Sequence, residues 1–404
     1  MLRALYDRVL ALSAHPRAPS WLAAVSFAES SVFPIPPDAM LIPMCLARPD
    51  RAWRYALICT IASVLGGIAG YAIGYFLFGG AGRAGRLADP PLRGASMSGR
   101  VPTAIPATAV ALDHVGVAAR DLTPLAAAYE RLGFTLSPVA QQSGRRAPGL
   151  AVEQFGSGNR CAFLRHGYIE LIAILDPTLF DNGLNAWLAR YPGLHILALA
   201  MQDEDANLDR LRRAGLSVPG VAYLERPVEP GGPIAQFARL PLPDAPEGRL
   251  QLIRHLTPDL VWQPRWMNHA NGAVALESVL LTSANPAETA ARLSRLAGLP
   301  LEPDPAGGYR LVLPGAAGAA GPQAPPMQTT LRILEEAAIP RLLPGVEVPS
   351  LPFMAGMVVR TGDGNVAARR VLHGIPAVKV PGEWGAGLMV PPEFAGGAAL
   401  VFAP

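Results

Sequence analysis

Two short apolar runs in this chain are near copies set 81 residues apart, and a second pair of runs keeps the same interval. L-D-H-V-G-V (Leu112–Val117) carries His114, and G-L-H-I-L-A-L (Gly193–Leu199) carries His195. I-E-L-I (Ile169–Ile172) carries Glu170, and L-Q-L-I (Leu250–Ile253) carries Gln251. Each histidine stands 56 residues ahead of its partner. A period of this size marks one supersecondary unit used more than once. Side chains alternate across a strand, so one inward position per strand can aim at a common point. Two imidazoles, a carboxylate and an amide oxygen suit a divalent ion such as Zn, Fe, Mn, Ni or Co. His114, Glu170, His195 and Gln251 are therefore the expected metal ligands. Glu170 strengthens the expectation, because an unpaired carboxylate in an apolar strand is costly.

The same order of elements appears four times after residue 108. The first unit reads as a strand over Val110–Val117, a helix over Asp121–Leu132 stopped by Gly133, then strands over Phe134–Ala140, Arg160–Leu164 and Tyr168–Leu175. The second opens at Leu194–Ala200, with a helix over Glu204–Ala214 and strands over Val221–Leu224, Ala235–Leu240 and Arg249–His255. Val274–Leu281 and the helix Pro286–Ala297 open a third unit, and Ala355–Arg360 opens a fourth. Further steps of 81 from His195 land on Leu276 and Met357, inside those opening strands, with no histidine left. Glu277 is the one acidic group near a ligand position there.

The first ninety residues differ. Tyr55–Phe78 runs 24 residues without a charge, which predicts a membrane-spanning helix, and Gly66, Gly67, Gly70 and Gly74 suit close helix contact. Residues 91–107 read as a Gly-, Pro- and Arg-rich linker. Net charge is only +3 and forms no basic block, so nucleic acid is not an expected partner. Cys45, Cys59 and Cys161 make no disulfide framework.

Paired βαβββ units opening on L-D-H-V resemble the vicinal oxygen chelate superfamily, closest to its glyoxalase-like branch, with a four-module doubling in the extradiol-dioxygenase style. The resemblance implies an α+β fold of two half-open mixed β-barrels, the first over 108–260 and a ligand-free second over 261–404. It also implies ligands on the first and last strands of each module. The glutamate which glyoxalase I and the ring-cleaving dioxygenases of that superfamily carry at the final strand is replaced here by Gln251. The epimerase branch resembles this chain in using two His, one Gln and one Glu, with the last two exchanged between halves. An amide cannot take a proton near neutrality, which leaves Glu170 as ligand and base. Upstream, F-A-E-S-S-V-F-P-I-P-P-D-A-M-L-I-P (Phe27–Pro43), with Glu29 and Asp38, resembles the DedA-like membrane proteins and their short YqaA-type branch. This resemblance makes residues 1–90 a truncated membrane segment. The glyoxalase-like region would then be anchored at the membrane on its cytoplasmic side, or wholly cytoplasmic if synthesis starts at Met97.

The expected function is metal-dependent proton transfer on a small substrate with vicinal oxygens, in an isomerase, epimerase or lyase. Extradiol ring cleavage and non-catalytic small-molecule binding are the alternatives, and a DedA-like transporter ranks last. Asn159, Arg160 and His255 are the expected substrate contacts. Asn268, His269 and Asn271 join them as polar groups of the W-Q-P-R-W-M-N-H-A-N-G segment, read either as a lip over the cup or as a linker anchored by its tryptophans. A homodimer is compatible with this architecture.

Overall fold

The computed structural model describes residues 18–31, 41, 44, 45, 48–66, 107–144, 151–229, 231–318, 321, 325–380 and 382–404. Two compact units, 1–101 and 102–404, divide the chain.

In the first unit a helix over Ala18–Ser31 and another over 52–66 bury Leu22, Met44 and Tyr55 together. Ser26 Oγ donates to Cys59 Sγ at 3.3 Å. Trp53, Leu57, Ile61, Val64 and Leu65 stay exposed on the second helix. Among the described residues no helix is long and apolar enough to cross a membrane. The expected span Tyr55–Phe78 is described only to residue 66, and Asp38, the Glu29 side chain and residues 91–106 also lie outside the described residues.

The second unit is mixed α+β, built on one large sheet. In its first half, β1 (Ala111–Ala119) lies parallel to β4 (Tyr168–Ile174) and antiparallel to β5 (Gly193–Ala200). β5 in turn lies parallel to β8 (Arg249–His255). β3 (Glu153–Phe163) and β2 (Ala140–Gly144) extend one side, and β7 (Ile234–Leu242) and β6 (Ala222–Pro227) extend the other. In the second half, β9 (Ala273–Thr282) pairs in parallel with β12 (Thr329–Leu334) and antiparallel with β13 (Phe353–Thr361). β16 (Ala399–Ala403) then lies parallel to β13. The repeat is visible in the register itself. Gly116 sits opposite Ile196, and 162 positions on Ser278 sits opposite Val358.

Three helices close these units on the same local chemistry. Asp121, Asp203 and Asn285 each accept a backbone N–H from the first turn of the helices Leu122–Arg131, Glu204–Arg213 and Pro286–Ala297. Their apolar stripes cover one face of the sheet, where Val115, Val117, Leu197, Leu199, Val279, Leu281, Met357 and Phe402 form a single core.

The expected strand over Phe134–Ala140 is not one. Phe134 and Leu136 alternate into that core from an extended loop, held where Ser137 N–H donates to the Cys161 carbonyl. Alternation of burial therefore came without a hydrogen-bonded ladder, and β2 begins only at Ala140.

In the second half, the sheet face that corresponds to a cup is filled. Leu280, Leu334, Ile339, Leu343, Phe353, Val358, Met389 and Val401 pack there. Arg332, one repeat step beyond Gln251, is buried with both its Nε and Nη2 on Asp304, at 2.7 and 2.5 Å, and its Nη1 on Glu383. This position carries a guanidinium with its own counter-charge, so the second pair holds no open site at that point.

Candidate functional site

Strand pairing decides which side chains share the open face of the first half. His114 stands opposite Tyr168 and Ala198, and Ala198 stands opposite Gln251. One row along, Gly116 stands opposite Glu170 and Ile196, and Ile196 opposite Arg249. Partners across a ladder point the same way. His114, Glu170, Arg249 and Gln251 thus belong to one face of the sheet, joined by Asn159, Phe237, Arg239 and His255 through the outer strands. Gly116 is required by close packing, since the Ile196 side chain fills the space beside it and an added Cβ would meet Ile196 Cβ at 2.6 Å.

Glu170 is buried, and amides fix one of its oxygens. Asn159 Nδ2 donates to Oε1 at 2.5 Å and Gln142 Nε2 at 3.3 Å. Gln142 is itself oriented by donors from Ser157 Oγ at 2.6 Å and Asn182 Nδ2 at 3.0 Å. Among the described residues no hydrogen bond reaches Oε2. The charges nearby are guanidiniums rather than carboxylates. Arg249 bonds the Asn182 carbonyl and Oδ1 and lies 4.8 Å over the Trp187 ring. Arg239 reaches Gln251 Oε1 at 3.5 Å. Burial pulls the Arg249 guanidinium down to about 10, and the Arg239 charge adds to the effect while Glu170 opposes it. Burial also lowers Arg239, again opposed by Glu170.

A second polar group lies at one end of the cup. The ladder slips between Leu112 and His114, so Asp113 is an extra residue in a β-bulge. Its carboxylate meets His114 Nδ1 at 2.6 Å and His255 Nε2 at 3.2 Å, with no solvent exposure. Burial raises the Asp113 carboxyl, but the His255 charge and hydrogen bonds from both rings outweigh it and bring it to about 2. Tyr168 stacks on His114 at 4.4 Å, and Trp262 and Phe237 close on His255 at 4.5 and 5.0 Å.

His195 leaves the other proposed ligands. A second slip, between Gly116 and Val117, makes it the bulged residue of β5 and takes it out of the alternation that serves His114. Its Nε2 lies 2.8 Å from the Tyr191 carbonyl, and its ring stacks on Tyr191 at 4.1 Å and Trp187 at 5.9 Å. Burial lowers its pKa to about 4, so the ring is neutral near pH 7. Its Nδ1 is buried without a partner among the described residues.

These residues do not fit a divalent ion. No three His, Cys, Asp or Glu side chains among the described residues are placed to hold one. His195 Nε2 is engaged elsewhere, and Arg239 puts a positive charge at Gln251 Oε1, where a cation would need an undisputed oxygen. The expected four-ligand convergence is corrected accordingly. Elemental analysis of the purified full chain is expected to give the same metal content for wild type and the His114→Ala, His195→Ala double variant. A stoichiometric ion lost on that substitution would restore the ligand set.

The other expected contacts divide by parity. Asn159 and His255 face the cup, as described. Arg160 does not: one residue on, it turns outward, with Nε on the Ser137 carbonyl and Nη1 on Glu130, both at 2.8 Å. The 262–272 segment anchors rather than overhangs. Trp262 Nε1 donates to the Leu164 carbonyl at 3.0 Å. The His269 ring takes Thr135 N–H at 3.0 Å and meets the Phe163 carbonyl at 2.9 Å. Asn271 Nδ2 donates to the Leu132 carbonyl at 2.8 Å, and the Asn268 carbonyl takes Thr135 Oγ1 at 2.6 Å. Buried donors and acceptors spent in this way leave His269 and Asn271 nothing to offer a substrate. Glu277 faces Arg360 at 2.9 Å in the second half.

Arg239 and Arg249 were absent from the residues expected at the site. The available signal was their spacing, since Arg249 lies two before Gln251 and Arg239 two after Phe237, each on the inward parity of its strand.

An uncharacterized protein of Haemophilus influenzae is 51% identical over 72 residues, 18% of this chain and 38% of that one. One of Histophilus somni is 46% identical over 59 residues, 15% of this chain and 31% of that one. The chain thus spans well under half the length of these relatives. Among solved structures, a hypothetical protein from Staphylococcus aureus aligns at TM-score 0.48 and 12% identity, over 73% of this chain and 99% of that one. A variant of 4-hydroxymandelate synthase from Streptomyces coelicolor aligns at 0.44 and 13%, over 73% and 93%. Homoprotocatechuate 2,3-dioxygenase from Arthrobacter globiformis aligns at 0.40 and 12%, over 75% and 81%. With each of these TM-scores below 0.5, no property of those proteins passes to this chain. Residues 112–297, which hold the whole face described above, match the family described as a glyoxalase-like domain.

Proposed function

We propose that the cup formed by residues 108–260 is an active site for proton transfer on a small substrate with vicinal oxygens, an isomerase, epimerase or lyase reaction. One observation carries the reading. Glu170 is buried, Asn159 and Gln142 hold one of its oxygens, and no described bond reaches the other. A carboxylate fixed in this way is oriented to take a proton at Oε2 from a carbon acid bound beside it. Arg239 and Arg249 favour the negative charge that develops on the substrate oxygens as that proton leaves. Incubating the protein in D₂O with a panel of 2-hydroxyketones and 2-hydroxy acids, read by proton NMR, is expected to show exchange at the carbon beside the carbonyl for at least one compound. No exchange across the panel, with binding still detectable, would leave a small-molecule binding protein of the same fold.

The exposed apolar stripe of the first unit, Trp53, Leu57, Ile61, Val64 and Leu65, favours a second proposal. This unit attaches the chain to a lipid bilayer, with the glyoxalase-like region on the cytoplasmic side. Co-flotation of the full chain with neutral lipid vesicles is the expected result. Loss of flotation on Trp53→Asp, Ile61→Asp is expected with it, and failure of the unaltered chain to float rejects the anchor.

A further inference from the structure

Three guanidiniums line the inner face of the first cup. Arg249 lies in the Glu170 row, Arg239 lies opposite Ile253 on β7, and Arg226 lies 5.6 Å over the Phe237 ring. None of the three forms an ion pair within 4 Å among the described residues. Arg239 is the least satisfied. Among the described residues its Nε is buried without a partner, and its one side-chain bond is the long one, 3.5 Å, to Gln251 Oε1. Arg249 spends Nη2 on Asn182 and stacks on Trp187, contacts that orient it without neutralising it. The carboxylates on this face are Glu170 and Asp113, and Asp113 already lies between two histidines. Elsewhere in this unit the inward arginine has its counter-charge at hand, as Arg332 has Asp304. Glu170 is one carboxylate near two buried guanidiniums, and a buried charge left without a partner of its own is unfavourable unless something negative joins it.

We infer that Arg239 and Arg249 together hold an oxyanion, the carboxylate or phosphate group of the substrate. The chemistry follows from the guanidinium, a planar fork of donors that matches two oxygens of one anion side by side. Arg239 offers the free Nε edge, and Arg249 the remaining donors of a head already fixed in direction by Trp187 and Asn182. The anion sits beside Gln251, and the reactive carbon of the same molecule lies towards Glu170. The inference rests on the proton-transfer reading for its substrate, but its own test needs no turnover.

Calorimetric titration of the full chain with inorganic phosphate and, separately, malonate is expected to give one site per chain for at least one of them. Whichever binds more tightly identifies the oxyanion class. Arg239→Met and Arg249→Met are each expected to weaken that binding by about tenfold or more, as loss of a hydrogen bond to a charged group requires. The outward Arg160→Met is expected to leave it unchanged. Glu170→Gln provides a variant that disturbs packing less. Removing the negative neighbour is expected to tighten anion binding several-fold, even if an arginine variant fails to fold. No binding of either anion to the unaltered protein, or binding insensitive to all three cup substitutions, overturns the inference. Exchange without anion binding sinks the inference alone, whereas anion binding without exchange on any compound sinks the catalytic reading alone.

Discussion

Glu170→Gln is expected to slow solvent exchange at the carbon of the proposed substrate by about 10²- to 10⁴-fold, the span that a positioned base contributes. The amide is nearly the same size and can still meet Asn159 and Gln142, so thermal stability should change little. It has no lone pair able to hold a proton near pH 7. The rate constant should fall while half-saturation drops several-fold, because the base is lost and the substrate's oxyanion no longer faces a negative neighbour. NMR exchange rates and a melting curve on the same preparation check both halves. An exchange rate within threefold of wild type would move the base elsewhere in the cup.

Asp113→Ala is expected to cost about 3–5 kcal/mol of unfolding free energy, the usual loss when one member of a buried charge cluster is removed. The carboxylate is wholly buried and both its histidine neighbours depend on it, His114 at 2.6 Å and His255 at 3.2 Å. Its removal strands two rings in an aromatic box of Tyr168, Phe237 and Trp262 that gives them no other acceptor. The pH dependence has a definite sign. The folded-state pKa, about 2, lies below the ordinary 3.8. The stabilisation is therefore complete above about pH 4 and is lost as pH falls through 2, an amount of about 2 kcal/mol. Urea unfolding at pH 6 and pH 2.5 should reveal that loss in the wild type, and a much flatter response in Asp113→Asn. Equal acid sensitivity in both would assign the effect to other carboxylates.

Much of the second unit was legible from periodicity alone. The opening strands around His114, His195, Leu276 and Met357, the helices capped by Asp121, Asp203 and Asn285, and the strands ending at Ile174 and His255 all follow from alternation, helical spacing and glycine stops. The fine geometry of the cup was not. Alternation assumes an unbroken ladder, and both departures from it fall on the chemistry: the bulge at Asp113 creates the carboxylate–imidazole cluster, while the bulge at His195 turns that ring towards Tyr191. A bulge leaves no mark in the hydrophobic pattern, because Asp113 and His195 look like ordinary neighbours of apolar residues. Arg239 and Arg249 were passed over for another reason. An arginine in a half-polar strand reads as a solvated edge, and only knowing which face closes into a cup makes it an inward charge. The 262–272 segment is dense in polar groups because it bonds the chain around Leu132 and Thr135, a partner far away in the sequence.

The close contact between the start of β5 and the far end of the chain has an effect on how this molecule is made. An added Cβ on Gly193 would meet the Gly397 carbonyl at 2.5 Å, and the Tyr129 hydroxyl donates to the Ala395 carbonyl at 3.3 Å. Residues near 396 thus complete the packing around a strand translated some two hundred positions earlier. During synthesis on the ribosome the half that holds β5 must wait, partly assembled, until the residues near 396 have been added. Chaperones acting on nascent chains would meet it in that unfinished form.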